Sequence, residues 1–192
     1  LDTSSLVAPD ELNGDLLLME SRTSVRRITS HLLEQGRTLP GFIGDIGYAQ
    51  SNRERYEGFC QALTDAGKKV DSSLCLTTPL GIDTYREEID TFLSSLSRMP
   101  DAFVCASDYV ACILMQLLEK RGLRVPEDVA VSGFDNNTED LLAEHLTTVQ
   151  VFNEELGARL ALQILYRIKY PNTPHEITYL GTNVLYRDST GD

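Results

Sequence analysis

At 192 residues and a formal net charge of −12, the chain can fill one substantial core, or one lobe and part of another. So acidic a surface is poorly suited to DNA, whose phosphates demand basic neutralisation. No run of about 18 apolar residues offers a membrane span, and no basic-then-apolar leader opens the chain. Cys60, Cys75, Cys105 and Cys112 form no CxxC pair and adjoin no histidine cluster. They read as free thiols of a cytoplasmic protein rather than as disulfides or metal ligands. The opening LDTSS lacks methionine and reads as the interior of something longer.

Short apolar runs alternate with helical stretches. LLLM (16–19) predicts a strand, and TSVRRITSHLLEQG (23–36) a helix capped by Thr23 or Ser24 and ended by Gly36. GFIGDI (41–46) is the next strand. SNRERYEGFCQALTDAG (51–67) follows as a helix capped near Ser51 and ended by Gly67. SLCLTT (73–78) predicts a strand, and DTYREEIDTFLSSLSR (83–98) a helix begun by Asp83 or Thr84 and stopped before Pro100. AFVCAS (102–107), DYVACILMQLLEKRG (108–122) and DVAVSGF (128–134) read as strand, helix and strand. TTVQV (147–151) is a short strand, NEELGARLALQILYRI (153–168) a helix, and EITYLGTNVLY (176–186) extended structure. Strand–helix units at this spacing predict an α/β fold, with a parallel sheet and helices on both faces.

Catalytic signatures are missing: there is no GxSxG, HExxH, Walker loop or GxGxxG. His31, His145 and His175 are scattered, so neither metal nor cofactor is called for and an enzyme is not expected. The strand ends are more coherent. GFIGDI leads into Tyr48, Ser51 and Arg55, AFVCAS ends at Ser107 and Asp108, and DVAVSGF ends at Asp135, Asn136 and Asn137. In a parallel sheet all three groups share the carboxyl-end rim, where ligands collect. A guanidinium fork, carboxylates, hydroxyls and amides suit a small polar or polyhydroxylated ligand. Taken singly, Arg55 could form a helix-surface salt bridge and Asp108 could be an N-cap.

Two further stretches carry alternatives. VACILMQLL (110–118) is apolar nearly all round, whereas a sheet-covering helix needs only one apolar stripe. The second face, with Cys112 and Met115, predicts a homodimer contact assisted by Leu141 and Leu142; the plain alternative is a helix buried within one chain. Arg22, Arg26, Arg27 and Arg37 form a basic patch that reads as a solvated helix face.

The segments RYEGFCQAL, ASD, RGLRVPEDVAVSGFDN, LTTV and LGARLALQIL occur in this order, and with them the chain resembles the lactose-repressor/galactose-repressor family of bacterial transcription regulators. The resemblance implies a type I periplasmic-binding-protein-like effector domain of two lobes. Residues 1–19 would end the first lobe, 20–148 form the C-terminal lobe, 149–175 return to the first lobe, and 176–192 complete the C-terminal one. It carries effector contacts onto Asp2, Ser51, Arg55 and Asp135, and onto Ser107, which stands where the family usually has Asn. Leu80 falls where an aromatic often stacks on ligand, and EHLTTV lacks the family's usual proline, so no familiar sugar or purine is assigned. The implied function is sensing a sugar-like effector as a cytoplasmic homodimer, with DNA contacted only through an N-terminal helix-turn-helix outside this sequence. The competing reading is a periplasmic sugar-binding transport receptor of the same fold. It would be monomeric and exported.

Overall fold

The computed structural model describes residues 7, 11–81, 83–137 and 144–192. At its centre is a parallel four-stranded sheet in the order β3–β2–β4–β5, with β2 (Pro40–Ile43), β3 (Cys75–Leu76), β4 (Ala102–Cys105) and β5 (Ala130–Ser132). Side chains alternate between the two faces of a strand, and here both faces are buried. Phe42, Val104 and Ala130 join the core with α1 (Arg22–Glu34) and α2 (Gln50–Asp65). Ile43, Phe103, Cys105 and Val131 join the opposite core with α3 (Tyr85–Ser95) and α4 (Asp108–Lys120).

Helix ends explain most boundaries. Gly36, Gly67 and Gly122 adopt φ of 92°, 69° and 74°, after which Arg37, Lys68 and Leu123 donate back to the carbonyls of Leu32, Leu63 and Leu118. This left-handed closure ends α1, α2 and α4 in the same way. At its start α1 is not capped by Thr23 or Ser24. Glu20 instead accepts from the amides of both, at 2.5 and 3.2 Å, and the helix begins earlier, at Arg22. The strand expected at 73–78 contracts to two residues, because Asp71 accepts from the Ser73 amide and folds residues 72–74 into a 3-10 turn.

Outside the central sheet, β1 (Leu16–Met19) pairs in parallel with β7 (Ile177–Leu180). The antiparallel pair β6 (Thr148–Gln150) and β8 (Asn183–Leu185) lies beyond β5. The stretch 176–192 therefore divides. Its first half lies beside β1, whereas Ser189 and Thr190 are buried near β5, Ser189 Oγ donating to the Val131 carbonyl at 2.6 Å. Helix α5 (Asn153–Lys169) packs near β1 and buries none of its residues.

Of the basic patch, Arg22, Arg26 and Arg27 lie on an exposed helix face, as expected, where Arg22 pairs with Glu57 and Arg26 with Asp65 at 2.6 Å, while Arg37 donates to the carbonyls of Asp101 and Pro126. The expected dimer face needs a correction at Cys112. It is 4% exposed and belongs to the core shared by α3 and α4. Arg86 donates to Gln116 and Tyr85 meets Tyr109 edge-on, so α3 covers that side of α4. Met115 keeps partial exposure, and Leu141 and Leu142 lie outside the described residues.

Candidate ligand-binding cleft

One cavity of about 140 Å³ opens between the carboxyl end of β5, the start of α2 that follows β2, and β1. Gln50, Ser51, Glu54 and Arg55 of α2 line it, together with Asp135 after β5, Leu17, Leu18 and Met19 of β1, and Val151, Asn153 and Leu156 beyond β6. Of the sequence-derived site residues, Ser51, Arg55 and Asp135 thus meet in one place. Ser107 does not line the cavity; its Oγ accepts from the Val110 amide at 3.3 Å and caps α4. Asp2 lies outside the described residues.

Arg55 is the most constrained of these groups. Its guanidinium lies over the Phe134 ring, 3.7 Å from the centroid, and its Nη1 donates to the Ala106 carbonyl at 2.5 Å. Its Nη2 stands 3.5 Å from Asp135 Oδ1. Cation–π contact and a charge-assisted bond hold the fork in one orientation, so Arg55 both braces the end of β4 and faces the cleft. Its side chain is 10% exposed, while that of Asp135 is 42% exposed.

Asp135 sits on unusual backbone. Its φ is 108° and that of Asn136 is 50°, a region that Asn and Asp tolerate better than other side chains. This accounts for the DNN that ends the strand. The neighbouring strand holds the turn: the Asp135 amide donates to the Val149 carbonyl at 3.1 Å, and Asn136 Nδ2 to Gln150 Oε1 at 2.6 Å. Arg187 in turn donates to Asn136 Oδ1 at 2.8 Å. Strained backbone locked by its surroundings is a recurrent property of functional sites.

Asp108 is the buried anchor behind this turn. It accepts from Thr148 Oγ1 at 2.6 Å and from the Asn137 amide at 2.7 Å. A methyl at Gly133 would stand 2.2 Å from its Oδ1, so only glycine fits there. Burial pushes its carboxyl up to about 6, against the opposing effect of the Thr148 and Asn137 bonds. The Asp135 carboxyl is also raised by burial and lowered by Arg55.

Glu54 is the residue that sequence reasoning missed. It is 5% exposed, and its Oε1 accepts from Tyr179 Oη at 2.8 Å and from Gln50 at 3.4 Å. Burial raises its carboxyl too, against the Tyr179 bond. An acid inside a polar helix normally signals a solvated face, and only the fold brings β7 across it. The three histidines are dispersed: His31 beside Asp192, His145 beside Asp188, His175 near Asn13 and Asp15.

The model of the "Periplasmic binding protein-like domain" family matches residues 29–190. Among curated proteins, the HTH-type transcriptional regulator DegA of Bacillus subtilis is 32% identical over 146 residues, covering 75% of this chain and 42% of DegA. The HTH-type transcriptional repressor PurR of Actinobacillus pleuropneumoniae is 30% identical over 165 residues, covering 85% of this chain and 49% of its own length. Among solved structures, the complex of the transcriptional regulator CelR with cellobiose superposes with a TM-score of 0.83 at 28% identity, covering 93% of this chain and 55% of CelR. The chain spans about half the length of the curated relatives it matches.

Proposed function

This chain belongs to the periplasmic binding protein-like domain family, and fits the effector-binding domain of lactose-repressor/galactose-repressor regulators; from that premise we propose that it is the sensing part of a cytoplasmic transcription regulator and takes a small polyhydroxylated effector in the cleft. The observation that carries this reading is the convergence of Arg55, Asp135 and Ser51 at the carboxyl ends of a parallel sheet, where α/β folds collect ligands. A guanidinium donates in a fixed fork and a carboxylate accepts, so together they engage both sides of a hydroxyl. Bonds made inside such a cleft exceed those on open surface. The backbone of Asp135 is tied to β6. A ligand that favours one position of Asp135 therefore favours one position of β6, and sensing consists of that bias between two arrangements.

The chain acts as a homodimer through the outer side of α4. Met115 lies with Leu123 and Val125 in an open groove there, flanked by Glu119, Arg124 and Glu127. DNA is contacted only through a helix-turn-helix that the regulator supplies elsewhere.

Calorimetry with a panel of free sugars, cellobiose and ribose included, tests the site. Asp135→Asn, at a half-exposed position, should cost about 2–5 kcal/mol of affinity for whichever sugar binds with the melting temperature unchanged. Unchanged affinity, or a loss confined to stability, would make the Arg55–Asp135 pair a brace and refute the assignment.

A further inference from the structure

We propose that Glu54 is a second ligand-contacting carboxylate, which restricts the cleft to uncharged polyhydroxylated ligands and turns away their phosphate esters; this rests on the effector reading above. The starting point is an unfilled valence. Glu54 is 5% exposed and lines the cavity, yet both of its hydrogen bonds, from Tyr179 and Gln50, go to Oε1. Among the described residues no donor reaches Oε2. Oε2 is left open to accept from a ligand, because it belongs to a side chain lining the cavity that Arg55 and Asp135 share.

Counting charges then defines the ligand. Glu54 and Asp135 contribute two carboxylates and Arg55 one guanidinium. Arg55 already has the Ala106 carbonyl, the Phe134 ring and Asp135 around it. Asp108 adds a further acidic group behind the Asp135 turn. A phosphate ester would bring about two negative charges into an enclosed site that already holds more carboxylates than cations, and like charges in low dielectric repel strongly. A bare cation would meet the guanidinium. A hydroxyl suits both, since it donates to Oε2 of Glu54 or to Asp135 and accepts from Arg55. Burial raises both carboxyls, which agrees with a site that lacks donors until a ligand provides them.

The measurement is calorimetric affinity of the full chain for matched probes: ribose with ribose 5-phosphate, glucose with glucose 6-phosphate, and cellobiose. The expected result is that at least one free sugar binds, with its phosphate ester weaker by about tenfold or more, a margin of about 1.4 kcal/mol. Glu54→Gln should weaken the free sugar and narrow the gap to its ester. Tyr179→Phe should lower the melting temperature and keep the gap, which separates ligand contact from bracing. If the unmutated chain binds an ester as tightly as the free sugar, or if Glu54→Gln folds and leaves the ratio unchanged, the role of Glu54 is overturned and the effector reading survives. If no probe binds in either form, both readings fall together.

Discussion

Helices α4 and α5 each carry nine apolar residues and meet opposite fates. Of the thirteen residues of α4, eight are buried. Of the seventeen of α5, none is, and Leu162, Leu165 and Ile168 lie open to solvent at successive helical turns. Periodicity writes an apolar face into a sequence, but what lies opposite decides whether that face becomes core. Helix α4 has the sheet beneath it and α3 beside it. Helix α5 is held instead by a polar clasp, in which Arg167 and Gln163 converge on Asp15 at the start of β1. Helix α4 is held by burial, and helix α5 chiefly by this charged clasp.

The sharpest way to break this contrast is truncation. Leu114→Ala in α4 removes a fully buried side chain and should cost about 2–5 kcal/mol. Leu165→Ala in α5 should stay within about 0.5 kcal/mol. Urea denaturation of the two variants measures both, and equal losses would mean that α5 is covered after all.

Acidity should separate the regions by sign. Asp108 has a folded pKa raised above its unfolded value, to about 6. The folded state therefore holds that proton more tightly, and its stabilisation is complete below about pH 4 and lost as the pH rises towards 6. The shift corresponds to roughly 3 kcal/mol. Asp15 behaves the other way: the Arg167 bond, against the cost of burial, holds its carboxyl well below the usual range. Its stabilisation is present above about pH 4 and disappears on further acidification. Denaturation midpoints from pH 3 to 7 should show Asp108→Asn flattening the slope between 4 and 6, and Asp15→Asn mattering only above 4. A wild-type slope of the same sign and size in Asp108→Asn would remove Asp108 as its source.

The smallest effect on the fold belongs to Met115→Asp. Its side chain is half-buried, so the monomer should lose no more than about 1 kcal/mol. A new charge in an apolar contact should nonetheless weaken self-association at least about tenfold. Sedimentation across a concentration series tests both, and an unmutated chain that stays monomeric would remove the dimer.

Much of the central sheet was legible because a doubly covered parallel strand has few alternatives. PGFI, AFVC and AVS are continuous apolar runs between helices, and their rim residues follow directly. Ser51, Arg55 and Asp135 were legible as rim residues for that reason. Glu54 was not, because its meaning depends on Tyr179, more than a hundred residues away. Cys112 was misplaced for a related reason: a helix apolar on two sides does not reveal whether the second side meets α3 or a partner. Capping by Glu20 was missed because its side chain reaches the Thr23 and Ser24 amides from outside the helix, where short caps are normally sought.

The pairing of β1 with β7 joins residue 16 to residue 177, and this orders events in time. The central sheet forms largely from neighbouring strand–helix units, whereas the β1–β7 ladder must close the loop from residue 16 to residue 177, which is entropically slow. On the ribosome Leu16–Met19 emerges well before its partner Ile177–Leu180. Until that partner is made this leucine-rich strand lacks its β7 edge, which exposes the nascent chain to association with other chains at the segment destined to form one wall of the cleft.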